Sequence, residues 1–215
     1  MTRILKLCLI LMLILLPCAH AEAYFELSPA VLSMLPEGMV MEETEVLGSL
    51  HMHTASVPET GEVLLLVCSD GEPILVETRQ PADYDPAAVP VGRSFAEELV
   101  RTAYPDCRIL FFRDSESGKE LGVAGENFCG SIFVADGRII SRSLEIGEIF
   151  RNGRLTMDGA LKVLTLHRPE AEFRALELDE DDGVYLYEGE AYIDGVEYEF
   201  ELDVSSGRLL EWERD

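Results

Sequence analysis

A carboxylate stands at every second position early in "EYEFELDVSSGRLLEWE" (Glu197 to Glu213): Glu197, Glu199, Glu201 and Asp203 alternate with Tyr198, Phe200, Leu202 and Val204. A catalytic acid pair, a calcium site and the wet face of a strand all use carboxylates. Only the strand demands strict alternation, because successive side chains point to opposite faces. "DEDDG" (Asp179 to Gly183) offers more oxygens, but it lacks the alternate spacing and distant glutamate of an EF-hand loop. It reads as a solvated loop. In "HMH", His51 and His53 share one strand face and offer two imidazoles to a metal. No third ligand is visible nearby, and zinc takes three or four protein ligands. An exposed strand face is the better reading. "GVAGENFCG" (Gly122 to Gly130) has no Lys-Ser/Thr of a phosphate loop. Cys129 has no histidine at a recognisable spacing, and Ser131 sits in no nucleophile elbow. The arginines at 138, 142, 151 and 154, mixed with Glu145 and Glu148, read as surface charge. The expectation is a protein that is not an enzyme, with no catalytic residue, cofactor or metal.

The elements that must position these residues follow from punctuation. Ser28-Pro29 opens a first helix. Ser94, with Glu97 three residues on, forms a capping box over "SFAEELVRTAY", with Phe95, Leu99 and Ala103 on one face. Thr156 opens "TMDGALKVLTLH", where Ala160, Val163, Leu164 and His167 share a face and Asp158 suits the dipole. His167 near that helix's end is structural. Pro36, Pro105 and Pro169 stop the three helices. Asp70-Gly71, Asp136-Gly137 and Ser206-Gly207 each turn one apolar run into another. Caps, turns and prolines recur at similar long intervals, which predicts repeated helix-then-hairpins modules. "RQPADYDPAAVPVG" (Arg79 to Gly92) reads as a linker and "EIGEIFRNGR" (Glu145 to Arg154) as a second junction.

The fold class expected is therefore α+β, in tandem modules of one helix on an antiparallel sheet. The domains expected are 1–21, 22–92, 93–153 and 154–215. Residues 1–21 have the form of a signal peptide: Arg3 and Lys6, an apolar run, then "PCAHA" with Ala19 and Ala21 before a cut at Glu22. A cut two residues later fits as well. Cys18 offers a lipoprotein alternative, which the proline before it disfavours; left uncut, the segment would be a short anchor. The chain from Glu22 onward carries a net −26, since Arg3 and Lys6 are two of 17 basic residues and none of the 41 acids precedes it. That charge argues against nucleic acid and anionic lipid as partners and favours solubility and a basic partner. Cys68, Cys107 and Cys129 read as buried thiols; if one pair oxidises outside the cell, it is Cys107 with Cys129, which share a module.

The last unit is the most legible. After its helix come a strand at "AEFRALEL" (Ala171 to Leu178), the acidic loop, "VYLYEGEAYI", the hairpin turn Asp194-Gly195, "VEYEFELDV", and the Ser205-Ser206-Gly207 turn into "RLLEWE". Over Leu155 to Glu213 this order and spacing resembles a PepSY domain. Gly189 and Ala191 depart from the bulkier apolar residues usual there, and Gly159 weakens the helix's first turn. The middle unit, from Ser94 to Leu144, looks like a diverged copy, with "DGRIISRSL" where "SGRLLEWER" stands later. The resemblance implies a helix on an antiparallel sheet, export, and a binding or regulatory role. It implies no catalytic residues. A peptidase is the partner it suggests; the alternative is a structural or sensory accessory of the cell envelope. Partner binding by strand addition to "RLLEWE" would make Trp212 a candidate anchor, although a core position in line with Leu210 is the favoured reading of that residue.

Overall fold

The computed structural model describes residues 38–59, 61–70, 72–79, 91–115, 118–181 and 183–215. The signal segment, the helix after Ser28 and most of the 79–92 linker lie outside them. Strands β1 (Val40–Leu47), β2 (Leu50–Val57), β3 (Glu62–Ser69) and β4 (Glu72–Arg79) form one antiparallel meander. Helix α1 (Arg93–Ala103) leads into a second: β5 (Arg108–Ser115), β6 (Gly118–Ala124), β7 (Phe128–Ala135) and β8 (Arg138–Ile146). β4 pairs with β8, so the eight strands make one sheet in the order β1-β2-β3-β4-β8-β7-β6-β5. A short hairpin, β9 (Phe150–Arg151) and β10 (Arg154–Leu155), precedes helix α2 (Met157–His167). A second sheet follows: β11 (Glu172–Phe173), β12 (Glu177–Asp181), β13 (Val184–Ile193), β14 (Val196–Asp203) and β15 (Leu209–Arg214). The described chain is thus α+β and dominated by antiparallel sheet.

The turns follow their chemistry. Asp136-Gly137 and Asp194-Gly195 both hold positive φ at their two central residues, as tight hairpins require. So does Asn152-Gly153 between β9 and β10. That hairpin lies inside the stretch read as a junction, and its Asn-Gly pair was the signal.

Helix α1 differs from expectation at its start. Gly92 is the N-cap, with no side-chain bond, and Ser94 lies inside the helix. Glu97 does not reach back, because Arg93 holds its carboxylate at 2.7 Å. The buried stripe is Ala96 and Val100, flanked by Leu99 and Tyr104, while Phe95 is 49% exposed. Ala96 and Val100 are the smaller residues, so the helix axis can approach the sheet. Beneath it Ala55, Leu64, Leu66 and Val76 meet Leu121, Ile132 and Leu144. Among the described residues the two meanders therefore share one sheet and one core.

Helix α2 starts as expected: the Gly159 amide donates to Thr156 Oγ1 at 3.0 Å. Thr156→Ala should cost about 1 kcal/mol, read from the urea midpoint. Gly159 does more than lower helix propensity. A Cβ there would sit 2.2 Å from the Ile149 carbonyl oxygen, so glycine is what lets the helix touch that backbone.

The expected strand at 171–178 is broken into β11 and β12. Between them the chain arches over β13, with the Arg174 amide donating to the Glu190 carbonyl at 3.0 Å. A Cβ at 189 would meet the Ala175 carbonyl oxygen at 2.1 Å. The missing bulk at Gly189 is thus filled by backbone, and Phe173 sits edge-on to Phe200 at 5.6 Å. The expected acidic loop is also revised: Asp179 to Asp181 belong to β12, paired with Leu186 to Val184.

Ala160, Val163 and Leu164 of α2 pack with Tyr187, Ala191, Phe200, Leu202 and Val204 of the second sheet. Leu110, Ala124 and Cys129 of the large sheet join the same core. The helix lies between two sheets, and its core is built from both.

Candidate functional site

Among the described residues strand β15 ends the second sheet, pairing with β14 on one side only. Its inward residues are set by a register shift. Phe200 faces Trp212 and Glu201 faces Glu211, but Leu202 faces Leu209. The extra residue is Leu210, left 57% exposed. Trp212 is therefore in line with Leu209 across a bulge, not with Leu210 as the alternation suggested. It is half-buried, stacked on Tyr198 at 5.3 Å and lying near Phe200 and Phe173. The Arg168 guanidinium sits 5.1 Å from its ring centre. Trp212 thus rims the core at the free edge.

The other face carries the alternating carboxylates. Pairing aligns Glu177, Glu188, Glu201 and Glu211 in one row across β12 to β15, and Glu190, Glu199 and Glu213 in the next. Like charges directly opposite one another destabilise a sheet. The Glu201 carboxyl is accordingly held above its ordinary range, by burial first and then by Glu211 and Glu188. Asp203 goes the other way. Burial raises it, but hydrogen bonds from Ser206 and Ser205 outweigh that and leave it lowered. Each row of glutamates ends at the open edge.

The remaining sequence candidates resolve into structural roles. His53 is buried and half-buried His51 shares its face, the one α1 covers; the expected exposed face is not found. His53 Nδ1 lies 3.0 Å from Thr44 Oγ1, and burial, then His51, lowers its pKa. Cys68 faces His51 across the β2–β3 pair. Among the described residues no three His, Cys, Asp or Glu converge where a metal could sit. Cys107 and Cys129 are free, buried thiols and not a pair, because Cys107 lies in the first core and Cys129 in the second. Burial, then Glu145, pushes Cys129 up to about 12. Sequence reasoning missed Arg142. It is no surface charge: from β8 it donates to Glu62 and, at 3.0 Å, to Thr78 Oγ1, tying the two meanders together.

His167 fills the structural place expected of it. It is buried beside Phe111, ring centres 5.1 Å apart, with Nε2 3.3 Å from the Gly207 carbonyl. Burial lowers its pKa from 6.5 to about 4, against the opposing Gly207 contact. The unfolded chain then takes up a proton near 6.5 that the folded one refuses until about 4. Stability should be full above pH 6.5 and fall as pH drops toward 4, by about 3 kcal/mol. Urea midpoints at neutral pH and near pH 4 measure this, and His167→Gln should flatten the difference.

No helix among the described residues is long and apolar enough to cross a membrane. No curated protein matches the chain. Among solved structures, the Bacillus megaterium YpeB C-terminal domain aligns at 12% identity and TM-score 0.39, over 88% of this chain and 98% of that one. An uncharacterized protein from Eubacterium rectale aligns at 10% identity and TM-score 0.32, over 81% of this chain and 76% of the other. The assignment rests on sequence: the family described as "Peptidase propeptide and YPEB domain" matches residues 154–213. The C-terminal module, helix α2 with its antiparallel sheet, is a PepSY-like domain.

Proposed function

We propose that the chain is an exported, non-enzymatic binding protein that regulates a secreted or envelope peptidase through its PepSY-like module. The observation that carries this reading is the family match to 154–213, whose description names peptidase propeptides, on a sheet whose last strand, among the described residues, pairs on one side only. Such an edge binds an extended segment through its main chain, with pockets for alternate side chains. A helix followed by an antiparallel strand meander occurs twice, at α1–β8 and at α2–β15. This order supports tandem modules at 93–153 and 154–215; the degenerate third at 22–92 rests on the sequence alone. The leader-like first 21 residues and the net charge of −24 support export and a protein partner.

The test is to add the chain from Glu22 onward to a thermolysin-like metallopeptidase, and to capture its partners from the exterior of the native cell. Inhibition, or a captured peptidase, is the expected result. Neither one, with a non-peptidase envelope protein captured instead, would favour the accessory role. Turnover of model substrates by the pure protein would overturn both.

A further inference from the structure

We propose that β15 takes up an extended segment whose side chains alternate basic and apolar, with Lys or Arg beside Glu211 and Glu213 and an apolar residue beside Trp212. This deepens the strand-addition reading above and rests on it. An added strand continues the alternation of the strand it joins, so its side chains fall in turn on the two faces of the sheet. On the wet face its residues extend the two rows that end at Glu211 and Glu213. Each row already sets glutamate against glutamate across β13, β14 and β15. A cation placed next in the row relieves that repulsion, and a carboxylate placed there extends it. On the other face the added strand meets the exposed flank of Trp212, which is half-buried against Tyr198 and Phe200. An apolar side chain covers that flank and removes it from water.

Charge also decides against a second copy of this chain as the occupant. Its own β15 would bring Glu211 and Glu213 to the same edge, and each copy from Glu22 onward carries a net −26. The edge therefore discourages self-pairing and favours a cationic strand, a division of labour that charged edge residues serve in many sheets.

Trp212 is the sole tryptophan of the chain, so its emission reports directly on this edge. The chain from Glu22 onward is titrated with a short peptide of alternating Lys and Val, with its Glu-Val counterpart, and with a Lys-Val peptide N-methylated at every backbone amide. The Lys-Val peptide should shift Trp212 emission and bind at least about tenfold tighter than either control at low salt. In Glu211→Lys/Glu213→Lys, whose two sites are exposed, the order of Lys-Val and Glu-Val should reverse. Equal binding of Lys-Val and Glu-Val would overturn the basic preference while leaving strand addition standing. Equal binding of the N-methylated peptide would overturn strand addition and reduce the effect to attraction by net charge. No binding by any peptide would overturn the proposal; a peptidase captured in the separate experiment would still uphold the regulatory role.

Discussion

Gly130→Ala is expected to be the most damaging single substitution in the large sheet, costing more than about 4 kcal/mol and leaving little cooperatively folded protein. β7 lies inside the sheet between β6 and β8, and Gly130 pairs with Val123 on one side and Leu144 on the other. A Cβ at 130 would stand 1.9 Å from the Ser143 carbonyl oxygen and 2.8 Å from Leu144 Cα. Both are backbone, so no side chain can swing aside. The two strands would have to part, and the Gly130–Leu144 pairing with them. Gly137→Ala supplies the contrast. Gly137 has φ +70 and open space around it, so its substitution strains the turn without a collision. That cost should be about 1–2 kcal/mol. Urea unfolding of both variants separates the two causes. Similar losses would show that space at position 130 is not what the glycine provides.

Arg142→Met is expected to cost about 3–5 kcal/mol, because it leaves the Glu62 carboxylate buried without its guanidinium. The same change strips Thr78 Oγ1 of its donor. A surface arginine of the kind the sequence suggests would cost almost nothing. The double variant Glu62→Leu/Arg142→Met should recover most of the loss, since apolar residues of similar size often replace a buried ion pair at little cost. A double-mutant cycle on unfolding free energies reads this coupling. Additive losses would show that the two side chains do not act as a pair.

These residues mark where sequence is legible and where it stops. Local signals carried well: Thr156 caps α2, Asp136-Gly137 and Asp194-Gly195 turn as their chemistry requires, and the β14 alternation separates wet carboxylates from buried Phe200 and Leu202. Each depends on neighbours within a few positions. What failed depends on partners far along the chain. Glu62 and Arg142 are 80 positions apart, and nothing near either announces the other. The β4–β8 pairing, the carbonyl over Gly189 and the bulge at Leu210 are likewise set by what lies across the sheet. Ser94 shows the opposite failure, a local motif overruled because Arg93 captured Glu97 first. At the proposed edge, the alternation of acids was visible from the sequence. Their alignment into rows that end on β15 was not, because alignment needs register.

The pairing of β4 with β8 also orders events in time. Leu75 finds Glu145 only after some 70 further residues have been made. Both meanders are built from neighbours and can close early, whereas this pair must wait for a long loop to be gathered in. Until then β4 presents unsatisfied amides and carbonyls next to the apolar Leu64 and Leu66, which is the kind of surface on which chains aggregate. The seam that makes one sheet of two is thus expected to close last in assembly, and a refolding phase that Arg142→Met slows would be its signature.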